Sequence, residues 1–135
     1  KPLLKKNHYK ALILGTGGAA KAVEYVLKKI GLSILYISRN PSSDNERGYQ
    51  ELTQFAVQDF PVIVNSTPIG MHPKVDNCPS IPYQYLTSNN LLYDLIYNPN
   101  QTLFMKKGAE QGATTQNGLG MLKLQAEKAW QIWKI

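Results

Sequence analysis

The stretch Lys10–Lys21, KALILGTGGAAK, constrains this chain more than any other. Ala11 to Leu14 form an apolar run of strand character that stops at Gly15. Beyond the glycines, Ala19, Ala22, Val23, Val26, Leu27 and Ile30 recur at the spacing of one helical face. Gly15, Gly17 and Ala20 between them match G-x-G-x-x-G/A. Each position has a physical role. Gly15 permits the tight turn from strand to helix, Gly17 has no Cβ to hold a diphosphate away, and Ala20 lets helix and strand pack closely. The free N–H groups and positive dipole end of the helix then face an anion. The plain alternative is a glycine turn between a buried strand and its helix.

At 135 residues the chain fits one domain with a full core. Its 43% hydrophobic and 18% charged residues are ordinary for a soluble globular protein. No apolar run reaches membrane-spanning length, so no membrane partner is expected. One cysteine, Cys78, excludes an internal disulfide and a multi-cysteine metal site; no metal is expected, and the reducing cytoplasm suits the chain. The net charge of +6 includes Lys1, Lys5, Lys6 and Lys10, which read as a solvated lead-in over residues 1–9. The other basic residues form no single stripe and no aromatic–basic interleaving, so nucleic acid is not an expected partner. The chain starts abruptly without a methionine, as expected of a piece of a longer protein.

The first helix stops at Gly31, with Lys28 and Lys29 in its last turn, where the dipole favours cations. Ser33 to Ser38 reads as a second strand, which makes a right-handed βαβ unit with parallel pairing. Ser38, Arg39 and Asn40 follow at the strand end, where such a unit meets the adenosine ribose. An acid there would accept from a free 2′-hydroxyl; Arg39 suits a 2′-phosphate, which favours NADP over NAD. Asp44, the nearest competing acid, lies too far into the loop.

Pro41 to Gly48 reads as turn, and Tyr49 to Asp59 as a region with one short turn of helix. Phe60 to Thr67 is a central strand whose polarity switches at Asn65. In open α/β sheets that carboxyl edge receives ligands. Asn65 and Thr67 either contact a cofactor or close the turn before Pro68, and the pattern alone favours the turn. His72 and Cys78, in the loop from 72 to 90, have no partner motif and read as loop residues. Leu91 to Tyr97 is another strand, apolar on both faces as in a parallel sheet covered by helices. Asp94 interrupts it and requires hydrogen bonds, for which structural duty is the default. Thr102 caps a helix that Gly112 ends, residues 113–116 suggest a last short strand, and a final helix runs from Gly118 to about Trp133. Gln125 borders that helix's apolar face. The fold expected is α/β: a doubly wound, mostly parallel Rossmann-type sheet with helices on both faces, over residues 10–135.

Four motifs together carry a resemblance: the glycine loop, Asn65–Met71 (NSTPIGM), Tyr93–Pro99 (YDLIYNP) and Gly118–Gln125 (GLGMLKLQ). From about Lys10 to Ile135 the chain resembles shikimate dehydrogenase, specifically its carboxyl-terminal, nucleotide-binding half. That family reduces 3-dehydroshikimate to shikimate with NADPH, on the way to aromatic amino acids. The resemblance implies that Gly15, Gly17, Gly18, Ala19 and Ala20 hold the diphosphate. It also implies that Ser38, Arg39 and Asn40 meet the adenosine phosphate, and that Leu95 and Gly118 border the nicotinamide. Tyr97 and Gln125 match residues that reach the small-molecule substrate. The family's catalytic lysine and aspartate belong to its amino-terminal substrate domain, so no catalytic residue is assigned here, and this chain alone is expected to be inactive. Three positions depart from the family pattern. Ser38 replaces the usual Asn, Leu95 a frequent Met, and Ser43 stands where many members place a second arginine. Losing one charged partner of a phosphate lowers NADP preference by about 1–2 kcal/mol. Two other readings compete: a quinate/shikimate dehydrogenase, which only the substrate domain would distinguish, and a non-catalytic NADP-binding module. The final helix carries Trp130 and Trp133, and its apolar face makes a homodimer the expected association.

Overall fold

The computed structural model describes residues 10–29, 31–96 and 98–118. Its elements are β1 (Lys10–Leu14), α1 (Gly18–Lys29), β2 (Ser33–Ile37), β3 (Glu46–Arg47), α2 (Gln54–Asp59), β4 (Val62–Asn65), β5 (Leu91–Asp94), α3 (Leu103–Glu110) and β6 (Thr114–Asn117). The six strands form one sheet in the order β3-β2-β1-β4-β5-β6. Every pairing is parallel. The order reverses between β1 and β4, and an open sheet of this kind offers a crevice outside the carboxyl ends of its strands at that point.

Strand periodicity explains why both faces are covered. Ala11 and Ile13 of β1, Val62 and Val64 of β4, and Leu91 and Tyr93 of β5 join Ala20, Val23 and Leu27 of α1 in one core. The alternate residues Leu12, Leu14, Ile63 and Leu92 join Val57 of α2 and Phe104 and Met105 of α3 in the other. Strands buried on both sides read as continuous apolar runs for this reason. The expected doubly wound parallel sheet is the fold found. Tyr36 ties the first crossover to the sheet, its hydroxyl donating to Glu24 Oε1 of α1 at 2.5 Å.

Local chemistry sets the element ends. Thr53 accepts from Ala56 N at 3.2 Å and caps α2. Thr102 accepts from Met105 N at 3.3 Å and caps α3, as expected. β4 is shorter than the expected Phe60–Thr67 strand, covering Val62–Asn65, and three further boundaries differ from the sequence reading for identifiable reasons. Residues 41–48 hold an edge strand, β3, where only a turn was expected. Tyr36 pairs with Glu46 and Ile37 with Arg47, so the backbone ladder makes this strand without an apolar pattern. The region 49–59 holds a 3₁₀ turn at Tyr49–Glu51 as well as α2. β5 ends at Asp94 instead of Tyr97, because the Asp94 carboxylate accepts from Ile96 N at 3.0 Å and turns the chain. The lead-in, Tyr97, Gln125 and the final helix with Trp130 and Trp133 lie outside the described residues.

Candidate functional site: the carboxyl edge of the sheet

The turn after β1 has the shape its sequence demands. Gly15 has φ +100°, a conformation that L side chains rarely adopt. A Cβ there would lie 3.0 Å from both Ser66 Oγ and Thr67 Cγ2. Gly15 N donates to Ile37 O of β2 at 2.9 Å, and Ser66 N to Leu14 O at 3.0 Å, so the turn is pinned from both neighbouring strands. Thr16 to Ala19 are exposed. Among the described residues, a Cβ at Gly17 or Gly18 would meet no heavy atom within 4 Å beyond its chain neighbours. Among the described residues, no side chain or carbonyl accepts from the N–H groups of Gly17, Gly18 or Ala19. These are the orphan donors of a helix start, and α1 has no acidic residue in its first turn to engage them. An anion arriving here meets open space, unpartnered amides and a positive helix end. Ala20 is different: it is fully buried in the α1 core, so it shapes the site through packing and does not line it.

On one side lies the tip of β2. Ser38 N donates to Arg47 O at 2.9 Å, and Asn40 N to Ser38 Oγ at 3.1 Å. Arg39 and Asn40 are exposed. Among the described residues no carboxylate pairs with Arg39. Burial raises the Tyr49 phenol above its ordinary value, and the positive charge of Arg39 opposes that rise.

On the other side lie the ends of β4 and β5, braced by one buried polar network. Asp94 Oδ2 accepts from Thr102 Oγ1 at 2.7 Å, and Oδ1 from Asn65 Nδ2 at 3.2 Å. Asn65 Oδ1 in turn accepts from Thr67 N at 3.1 Å and Thr67 Oγ1 at 2.6 Å. Asn65, Asp94 and Thr102 are all fully buried. Burial pushes the Asp94 carboxyl above its ordinary pKa, against the lowering effect of the bonds from Thr102, Ile96 and Asn65. The expected structural duty of Asp94 is thus observed. The cofactor role for Asn65 is corrected to bracing, since its amide is buried and bonded within the turn. Thr67 shares that turn, yet it also lines a cleft.

That cleft, about 410 Å³ in volume, opens between the two loops. Ser66, Thr67, Met71 and His72 wall it on one side, with Leu95 and Asn98 on the other. The loops are clasped by His72 N donating to Asn98 O at 3.0 Å. Leu95 N bonds to Asn65 O at 3.1 Å, and Gly118 N to Asp94 O at 2.9 Å, so both reach the same edge. His72 and Met71 were not expected in a site. The one signal was their place just past the polar end of a central strand. Cys78 packs against the α3 core as a partly buried residue and takes no part.

From the β2 tip past the glycine turn to the β5 loop is three strand spacings, about 14 Å. A cationic tip, an amide corner and a half-apolar cleft stand in a row along it. Fold and site together define a dinucleotide-binding domain of the Rossmann class. Among the described residues, no cluster of three or more His, Cys, Asp or Glu is arranged to hold a metal. Nor is any described helix long and apolar enough to cross a membrane.

No protein-family model matches the chain. Curated proteins do. It is 38% identical over 140 residues to the NADP(+) shikimate dehydrogenase of Desulforamulus reducens, covering 91% of this chain and 48% of that protein. The corresponding enzyme of Methanococcus aeolicus is 38% identical over 137 residues, covering 93% and 49%. Among solved structures, a shikimate dehydrogenase in complex with NADP+ superposes with a TM-score of 0.67 at 30% identity, over 93% of this chain and 48% of that one. A chorismate mutase/shikimate 5-dehydrogenase fusion protein from Clostridium acetobutylicum gives 0.67 at 36%, over 93% and 46%. The chain spans about half the length of the curated relatives it matches. Over that half it is homologous to the shikimate dehydrogenases.

Proposed function

We propose that this chain is the cofactor-binding half of an NADPH-dependent shikimate dehydrogenase, which interconverts 3-dehydroshikimate and shikimate. One observation carries the reading: among the described residues, the amides of Gly17 to Ala19 have no partner and open onto the sheet's carboxyl edge, and Arg39 at the β2 tip has no carboxylate partner. The enzymes it resembles over these residues are NADP(+) shikimate dehydrogenases. In this reading Gly15, Gly17, Gly18 and Ala19 hold the diphosphate. Ser38, Arg39 and Asn40 hold the adenosine end, and Thr67, Leu95 and Gly118 border the nicotinamide. Bound there, the reduced nicotinamide supplies the hydride. This chain's own work is positional: its amides would fix the anion, Arg39 would select the 2′-phosphate, and the braced cleft would receive the nicotinamide end. The resemblance assigns substrate binding to Tyr97 and Gln125, which lie outside the described residues. The proton is handled by a substrate-binding domain of the whole enzyme. A cytoplasmic setting, and a homodimer through the apolar face carrying Trp130 and Trp133, belong to the same reading.

The test is an equilibrium titration of the chain with NADPH and with NADH, repeated on Arg39→Ala. We expect NADPH to bind at least tenfold tighter than NADH. Arg39→Ala should weaken NADPH about tenfold, the effect of one charge-assisted phosphate contact, while NADH changes little. Equal affinities in the unmodified chain would overturn the assignment to NADP.

A further inference from the structure

Lys21 closes the first turn of α1, its N–H donating to Gly17 O at 3.2 Å. It is exposed, and helical side chains lean toward the amino end, which here carries the open amides. Its Nζ stands 5.0 Å from the centre of the Tyr36 ring, so the side chain runs sideways onto β2. Ile34 and Tyr36 pack on the α1 side of the sheet, and Leu35 and Ile37 on the other. The ladder continues one residue further, with Ser38 N donating to Arg47 O at 2.9 Å. Strand alternation therefore puts Ser38 on the α1 side as well, about 7 Å beyond Tyr36. The Lys21 ammonium stands on the face of β2 that leads to its tip.

Among the described residues no carboxylate pairs with Lys21. Glu24, the one acid of α1, is already engaged: it accepts from the Tyr36 hydroxyl at 2.5 Å and pairs with Lys28 Nζ at 2.7 Å. Those two bonds hold its carboxyl below the ordinary range, and the Lys21 charge adds least to that. The border between α1 and the β2 tip thus keeps a cation with no anion of its own. Arg39, directly after Ser38, is the next. A 2′-phosphate carries close to two negative charges near neutral pH, of which one guanidinium balances about half.

We infer that Lys21 is a specificity-determining residue that delivers a second positive charge to the cofactor's 2′-phosphate, from the α1 side of the β2 tip. The inference rests on the function proposed above. From its place over the Tyr36 ring, rotation about the flexible four-carbon stem carries the ammonium toward Ser38 and gives up only a ring contact at the surface. An exposed ammonium on a phosphate has a modest effect, about three- to tenfold in affinity. A 2′-hydroxyl offers no charge to attract, so NADH gains nothing from it.

The experiment measures dissociation constants for NADPH and NADH with the unmodified chain, Lys21→Met, Lys21→Arg and Lys29→Met. Methionine keeps most of the stem at an exposed position, and the ratio of the two affinities does not depend on any folded fraction lost. Lys21→Met should bind NADPH about three- to tenfold more weakly, with NADH within twofold of the original, and Lys21→Arg should keep both. Lys29→Met removes an equal charge two turns further along α1, where Nζ stands 5.8 Å from the Tyr25 ring, and should shift NADPH by less than twofold. Three results overturn the inference: NADPH affinity unchanged in Lys21→Met, NADPH and NADH weakened equally there, which would put the charge on the diphosphate, or an equal NADPH loss in Lys29→Met. If the unmodified chain binds neither cofactor, or both equally, the proposed NADP function fails and this inference fails with it. If the chain prefers NADPH and only the Lys21 effect is missing, the function stands and the inference alone falls.

Discussion

Asp94→Ala is expected to lower the unfolding free energy by about 3–5 kcal/mol, a cost reserved for breaking a buried polar network. The substitution leaves Thr102 Oγ1, Asn65 Nδ2 and Ile96 N without their acceptor in a region where Asn65, Asp94 and Thr102 are fully buried. Each orphaned donor costs about 1–3 kcal/mol. The damage is not confined to β5. Thr102 begins α3 and Asn65 holds the Thr67 turn, so three connections at the ligand edge loosen together. Asp94→Asn keeps one acceptor oxygen and should lose only about 1–2 kcal/mol near neutral pH.

The two substitutions also differ in pH dependence. The Asp94 carboxyl is raised in the folded chain, chiefly by burial. A raised acid contributes its stability in full below its unfolded pKa, about 3.9, and loses it as pH rises through the folded value. The unmodified chain should therefore lose stability relative to Asp94→Asn as pH climbs through that window. Urea denaturation from pH 4 to 8 measures both effects. A loss below 1 kcal/mol in Asp94→Ala would show that the network does not brace the edge.

Gly15→Val is expected to cost about 2–4 kcal/mol and to weaken NADPH binding more than tenfold. Valine at φ +100° is strained whatever its surroundings, and here its Cβ also arrives 3.0 Å from Ser66 Oγ and Thr67 Cγ2. Ser66 cannot retreat freely, because its hydroxyl donates to Leu14 O at 2.5 Å. The turn must shift, and the amides of Gly17 to Ala19 shift with it. Thermal unfolding and cofactor titration on the same preparation separate the two losses. A variant with unaltered melting temperature and affinity would mean that the turn tolerates a side chain, against its observed geometry.

Much of this architecture is legible in the chain because local and global signals agree. The β1–α1–β2 unit combines an apolar run, a glycine turn and a helical stripe, and all three point to one parallel crossover. Asp94 and Thr102 were legible for a related reason: an acid in an apolar strand needs donors, and a threonine before a helix offers one. β3 was not legible. Glu46 and Arg47 carry no alternation, and only the ladder to Tyr36 and Ile37 makes them a strand. Asn65 was ambiguous in sequence because an amide at a strand end serves a turn or a ligand equally well, and its burial decided for the turn. In sequence His72 reads as an isolated loop histidine. Its place in the cleft depends on the contact between its loop and the loop carrying Asn98, which lies 26 residues further along the chain.

The most direct test of the central claim, that open backbone amides after β1 grip a diphosphate, is NADPH titration of Gly17→Val. Among the described residues, a Cβ at Gly17 meets no atom within 4 Å beyond its chain neighbours and needs no left-handed backbone, so the fold should keep its stability. The side chain would instead fill the space a diphosphate must enter. The account predicts an unchanged melting temperature with NADPH affinity reduced at least thirtyfold, about 2 kcal/mol. A stable Gly17→Val chain that binds NADPH as tightly as the original would contradict it.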